Sequence, residues 1–262
     1  MTHIFGTYME LELWVLALLS CTYFCTGFID AVSGGGGLIA VPALLLAGIP
    51  ADLALGTNKL AVAAATPASI ITYARGNYVL WRLAATGLPA ALAGGLIGSN
   101  ALLIFDNETI GKIIVFLLPL AIGITLMPRR GGPGETEVSR NTIYVKTPLI
   151  CCCVGMYDGF FGPGAGSFFI LGLHYFAGIG LIHASATTKI FSFGSTISAL
   201  IIFCYNGKVL FLLGLPLVTG NTLGNFVGTK MAMRIGAGFV RTMLSGVLCL
   251  LMVSLIWKLY LS

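Results

Sequence analysis

Residues 27–50 read GFIDAVSGGGGLIAVPALLLAGIP, and this stretch decides the fold. A carboxylate, Asp30, follows a run of mostly apolar residues. Gly34, Gly35, Gly36 and Gly37 come next, then a short apolar piece, 38–48, that stops at Gly48 and Pro50. Eleven helical residues reach only about 17 Å at 1.5 Å each, well short of a hydrocarbon core near 30 Å. Such a piece cannot cross a bilayer alone as a helix. It is half of a broken helix or one arm of a re-entrant hairpin, and glycine is the residue that makes the break.

The bilayer enters through composition. The chain of 262 residues is 57% hydrophobic and 9% charged, whereas a soluble domain carries roughly a quarter of its residues as charges. So few charges cannot cover a surface that faces water, and the chain reads as an integral, multi-pass membrane protein. The N-terminus carries Glu10 and Glu12 rather than a basic flank with a small-residue cleavage site, which predicts a retained span rather than a signal peptide. The net charge of +5 falls in loops, as positive-inside bias requires, and gives no reason to invoke nucleic acid. Seven cysteines all lie in hydrophobic segments, and Cys151, Cys152 and Cys153 point in different directions on a helix. They read as small apolar residues, with no metal site and no cofactor expected.

Stretches long enough to span run over 11–32, 53–74, 80–104, 110–127, 143–160, 184–204, 209–229 and 239–260. The short piece 38–48 has a twin at 167–178. The twin is part of an internal duplication. GFIDAVSGGGGLIAVPALLLAG aligns with GMYDGFFGPGAGSFFILGLHYFAG, and LGTNKLAVAAATPASIITYARGN with ASATTKIFSFGSTISALIIFCYNGK. Further on, GLPAALAGGLIG aligns with GLPLVTGNTLGNFVG, with slips of a residue or two. The halves are 1–127 and 142–262, joined by the polar loop 128–141, PRRGGPGETEVSRN.

Five crossings per half place the basic clusters Arg75/Arg82, Arg129/Arg130/Arg140/Lys146 and Lys230/Arg234/Arg241 on one side. Lys112 and Lys208 are the exceptions. An odd count makes the halves inverted copies. The expected fold is therefore an all-α polytopic membrane protein of two inverted repeats, with about eight long transmembrane helices and two short broken or re-entrant ones. Secondary transporters are commonly built this way, with substrate near the midplane where broken helices expose backbone groups.

Of 14 basic and 9 acidic residues, four resist placement in loops or at helix ends: Asp30, Lys59, Asp158 and Lys189. They occupy matched positions in the two halves, and a charge at the bilayer centre costs several kcal/mol. One reading is structural, with each aspartate pairing with a lysine or capping amides at the break. The other is functional. Lys59 and Lys189, with Thr57, Asn58, Thr187 and Thr188, form an oxyanion site. The backbone N–H groups of Gly34–Gly37 and of Gly164 and Gly166 sit at the starts of the half-helices and add to it. Asp30 and Asp158 are then candidates for carrying protons. His174 and His183 read as interfacial histidines. Gly94-x-x-x-Gly98 and Gly220-x-x-x-Gly224-x-x-x-Gly228 are small-residue faces for close helix packing within the chain, with a homodimer face as the alternative use.

The residues GFIDAVSGGGGLIAVPALLLAGIPADLALGTNKL, with GMYDGFFGPGAGSFF and ASATTKIF in the second half, closely resemble the paired signatures of the TauE/SafE family, also called the toluene sulfonate uptake permease family. The resemblance covers essentially the full length. It implies a bacterial inner-membrane transporter of sulfite, sulfoacetate or another organosulfonate. The reading that results is a secondary carrier of small anions working in the lipid bilayer, with proton coupling and alternating access at the repeat interface. An anion channel is the alternative. An intramembrane enzyme fits poorly, since no nucleophile, acid–base pair or metal triad is placed for catalysis and no GxxxxGK[ST] loop is present.

Overall fold

The computed structural model describes residues 13–125 and 139–236, and among these every regular element is helical. The N-terminal acidic flank, most of the polar loop 128–141 and the last expected span, 239–260, lie outside the described residues.

Leu13–Ser33 forms α1, which stops at the glycine run. Gly37–Leu46 forms the short α2, and Gly48, at φ +81°, ends it. Ala51–Arg75 (α3), Trp81–Leu102 (α4) and Asn107–Thr125 (α5) complete the first half. A single wide turn at Thr142–Lys146 leads into α6, Thr147–Phe160. Ala165–Ala177 (α7) is the second short helix, followed by Leu181–Tyr205 (α8) and Phe211–Ile235 (α9). Residues 14–33 of α1 and the whole of α8 are long and apolar enough to cross a membrane on length and composition. Helices α3, α4 and α9 are diluted by glycine, alanine and hydroxyl side chains, which this fold uses for packing.

The densest packing joins helices from opposite halves of the sequence. Glycines make it possible by removing the side chain where backbones meet. A Cβ on Gly94 would press on the Cys152 carbonyl and the Met156 amide, and one on Gly98 would press on Met156 and Phe160. These glycines seat α4 against α6. In the same way Gly220, Gly224 and Gly228 seat α9 against Ser20, Phe24 and Phe28 of α1. Both small-residue stripes are thus consumed within the chain.

The pattern of buried and exposed positions along 81–100 recurs residue for residue along 211–230. That sets the register of the two halves here at 130 residues, and corrects the sequence alignment of GLPA with GLPL, which is 127 apart. Pro89 and Pro216 therefore stand almost a turn apart in their helices. The register is fixed by helix starts rather than by proline. Leu80 and Leu210, just before α4 and α9, share nearly the same backbone angles (−88°, 86° and −91°, 85°). Their amides donate to Thr187 Oγ1 and Thr57 Oγ1 respectively, both at 3.0 Å.

Candidate functional site

The two helix breaks meet. Gly34 sits at φ +75°, Gly162 at +94° and Gly164 at +81°, angles that any residue with a Cβ adopts only under strain. The Ser167 amide donates to the Gly34 carbonyl at 3.2 Å, and the Ser167 hydroxyl to the Ser33 carbonyl at 2.7 Å. A Cβ on Gly166 would lie 2.6 Å from Gly34 Cα, so the backbones cross with no room for a side chain. The amides of Gly35, Gly36 and Gly164 donate to no group among the described residues.

Around this crossing the four embedded charges pair, and each pair joins opposite halves. Lys59 of α3 donates to Asp158 of α6, to Oδ1 at 2.8 Å and also to its carbonyl. Lys189 of α8 donates to Asp30 of α1, to Oδ2 at 2.9 Å and again to the carbonyl. Each aspartate lies in the last turn of a helix that the glycines cut short; the Asp158 carbonyl has no backbone donor there among the described residues, while the Asp30 carbonyl also accepts from the Gly34 amide at 2.8 Å. At Asp158 the cut helix supplies a free carbonyl, and the Lys59 ammonium satisfies it. Ser195 and Thr196 hydroxyls complete the Asp158 site at Oδ2, Thr196 at 3.2 Å.

A cavity of about 30 Å³ lies between the pairs. Asp30, Asp158, Lys59, Asn58, Gly34, Gly37, Gly164 and Gly166 line it, all of them residues that sequence reasoning singled out. Gly162, Val62, Ser192 and Thr196 line it as well and were not singled out individually. Val62 and Ser192 stand three residues after the two lysines, one turn along the same helix face, and that spacing is the signal that finds them. Lys189, Gly35, Gly36, Thr57, Thr187 and Thr188 are not on the cavity wall. Thr57 and Thr187 hold the starts of α9 and α4, and Thr188 donates to the Ser185 carbonyl at 3.0 Å. Asn58 accepts from Tyr23 Oη at 3.1 Å, and its amide nitrogen donates to no group among the described residues.

His174 and His183 lie near helix ends, off the cavity wall. His174 Nδ1 is 2.8 Å from the Ile179 carbonyl, and His183 Nδ1 is 2.9 Å from the Tyr78 carbonyl.

A sequence profile described as Sulfite exporter TauE/SafE matches residues 19–255. The chain belongs to the TauE/SafE family. Relatives of this TauE/SafE chain include a probable membrane transporter protein, ORF9, of Sinorhizobium sp, 39% identical over 239 residues and 90% of each chain. Another, from Haemophilus influenzae, is 34% identical across 90% of this chain and 92% of its own. The probable membrane transporter protein YfcA of Escherichia coli is 32% identical, across 88% and 85%. No solved structure matches. Family membership and these apolar helices identify an integral membrane protein of a transporter family.

Proposed function

We propose that this TauE/SafE protein is a secondary carrier of small sulfur-containing anions, such as sulfite or an organosulfonate, coupled to protons. It would act in a bacterial inner membrane by alternating access between two inverted repeats. The observation that carries the reading is the convergence of both helix breaks and both buried Lys–Asp pairs on one small cavity between the halves. Cations of this kind in a low-dielectric setting attract oxyanions strongly, and unpartnered amides at helix starts add neutral donors. The cavity as it stands has room for water rather than for a sulfonate. Binding then requires the crossed breaks to part, which is the motion alternating access demands.

The inverted arrangement is supported by matched burial along 81–100 and 211–230, by the paired threonine clamps and by the crossed ion pairs. The two lysines that disobey the positive-inside bias each have a carboxylate partner: Lys208 pairs with Asp52 at 2.6 Å, and Lys112 with Glu108 at 2.7 Å. We assign Lys59, Lys189 and Asn58 and the break amides to the anion, with Asp30 and Asp158 as the proton-carrying candidates.

The test is uptake of radiolabelled sulfite, thiosulfate and sulfoacetate into proteoliposomes, with and without a proton gradient. Wild type should give saturable flux with counterflow, and Lys59→Ala and Lys189→Ala should abolish it. Unchanged flux in both lysine variants would overturn the site, and flux without counterflow would make the protein a channel.

A further inference from the structure

Duplication ought to have produced two equal ion pairs, and the structure holds two unequal ones. The Asp158 carboxylate is saturated: Oδ1 accepts from Lys59, Oδ2 accepts from Ser195 and Thr196, and the side chain is 7% exposed. The Asp30 carboxylate has one partner. Its Oδ2 accepts from Lys189, its Oδ1 accepts from no described residue, and the side chain is 19% exposed. The difference is written in α3. The residues 130 positions before Ser195 and Thr196 are Ala65 and Thr66. Ala65 has no hydroxyl, and Thr66 donates to the Val62 carbonyl at 2.7 Å.

We propose that the duplicated pairs have divided the work: Asp30–Lys189 is the pair that opens to take the proton and the anion, while Asp158–Lys59 stays ionised as a fixed anchor. The proposal rests on the transporter reading and narrows it to one of two aspartates. On the side open to water, a proton adds to the unoccupied Oδ1 of Asp30 and leaves a neutral carboxylic acid. Lys189, still an ammonium, loses its counter-charge and takes an oxygen of the substrate anion. On the other side the anion leaves, the proton passes to water, and the pair closes. Proton and anion thus bind together, each raising the affinity for the other.

The ionisable groups that face Asp30 are few. Lys189 comes from α8 and Tyr73 from α3, its hydroxyl donating to the Ala31 carbonyl at 3.0 Å. Lys59 of α3 and Asp158 of α6 lie across the cavity, already paired. Helix α2 has no ionisable residue. Helix α7 has His174 in its last turn, and α9 has Lys230 and Arg234 near its C-terminal end. Asp158 has Lys59 and the hydroxyls of Ser195 and Thr196 as donors, where Asp30 has Lys189 alone.

Two measurements on the full chain in liposomes decide this. The first is labelling with dicyclohexylcarbodiimide, which attacks protonated carboxyls within membranes, read by peptide mass spectrometry. At one and the same pH the Asp30 adduct should exceed the Asp158 adduct by about tenfold or more. Equal labelling of both, or none at Asp30, overturns the proposal. The second compares exchange of radiolabelled sulfite at equal concentrations with accumulation driven by a proton gradient. Asp30→Asn should lower gradient-driven accumulation by about tenfold or more relative to its own exchange. Asp158→Asn should lose both. An Asp30→Asn protein that still accumulates sulfite with the gradient overturns the assignment. If wild type moves none of the anions, the transporter reading fails, and the carbodiimide labelling alone supports or overturns the asymmetry.

Discussion

Replacing Lys59 with methionine should be among the most damaging single changes in this protein. The substitution keeps the apolar stem and removes the ammonium from a pair whose side chains are 4% and 7% exposed. Asp158 is then left ionised between helices, with two hydroxyl donors and no cation. Breaking a buried pair from one side typically costs about 3–5 kcal/mol, because the remaining charge keeps its desolvation penalty and loses its compensation. At about 1.4 kcal/mol per tenfold, that is a loss of about two to three and a half orders of magnitude in the folded-to-unfolded ratio. Lys189→Met should cost less, by about 1–2 kcal/mol, since Asp30 is 19% exposed and can recover water. Adding Asp158→Asn to Lys59→Met should restore about 2 kcal/mol or more, because the orphaned charge goes with its partner. Thermal unfolding in detergent, followed by fluorescence-detected size exclusion, measures all four proteins. A Lys59→Met variant within about 0.5 kcal/mol of wild type, or a double variant no better than the single, would refute the view that these charges are held by one another.

Other expectations follow from single contacts. Gly34→Ala combines a left-handed backbone with a collision against Gly166, and should abolish recovery of folded protein; Gly111→Ala, with nothing within 4 Å, should be neutral or slightly stabilising in the same expression assay. Thr57→Val and Thr187→Val each leave one helix-start amide unsatisfied, and should lower stability by about 1–2 kcal/mol each and by similar amounts in thermal unfolding. Asp106 caps α5, with the Thr109 hydroxyl and the Glu108 and Thr109 amides holding its carboxyl below the usual range. A group depressed in the folded state stabilises above its unfolded range and loses that contribution as pH falls through the folded value. Stability of wild type should therefore fall more on acidification than that of Asp106→Asn, in matched melts across the carboxylate range.

Much of the fold was legible because its interruptions are. Glycine and proline punctuate the chain where helices stop, so the expected short pieces 38–48 and 167–178 come within a few residues of α2 and α7. The embedded charges were legible too, as residues too costly to leave in lipid unless something answers them. Their pairing was not. Lys59 and Asp158 are 99 residues apart, Lys189 and Asp30 are 159 apart, and no local period reports such a contact. The hydroxyls beside the lysines misled for a different reason. Thr57, Asn58 and Lys59 are consecutive, and successive helical positions turn by about 100°, so Thr57 is turned off the cavity that Asn58 and Lys59 line. Thr57 faces α9, Asn58 reaches Tyr23, and Lys59 alone crosses to the opposite aspartate.

The crossed pairing has a consequence for how the duplicated halves depend on each other. Each half carries one embedded aspartate and one embedded lysine, Asp30 with Lys59 and Asp158 with Lys189, yet neither half pairs its own two charges. The glycine stripes are wired the same way, α4 on α6 and α9 on α1. A half expressed alone would expose its own glycine stripe and bury two charges without their partners. At several kcal/mol per uncompensated charge, that is comparable with the about 5–15 kcal/mol of net stability a folded protein has to spend. A chain divided within the loop 128–141 should therefore yield little of either half when each is expressed separately, and folded complex when both are expressed together. Pull-down of one tagged half and thermal unfolding of the recovered complex read the result. A first half that is stable and monomeric alone would mean its Asp30 and Lys59 had found each other, and the crossed pairs would then be a consequence of assembly rather than its cause.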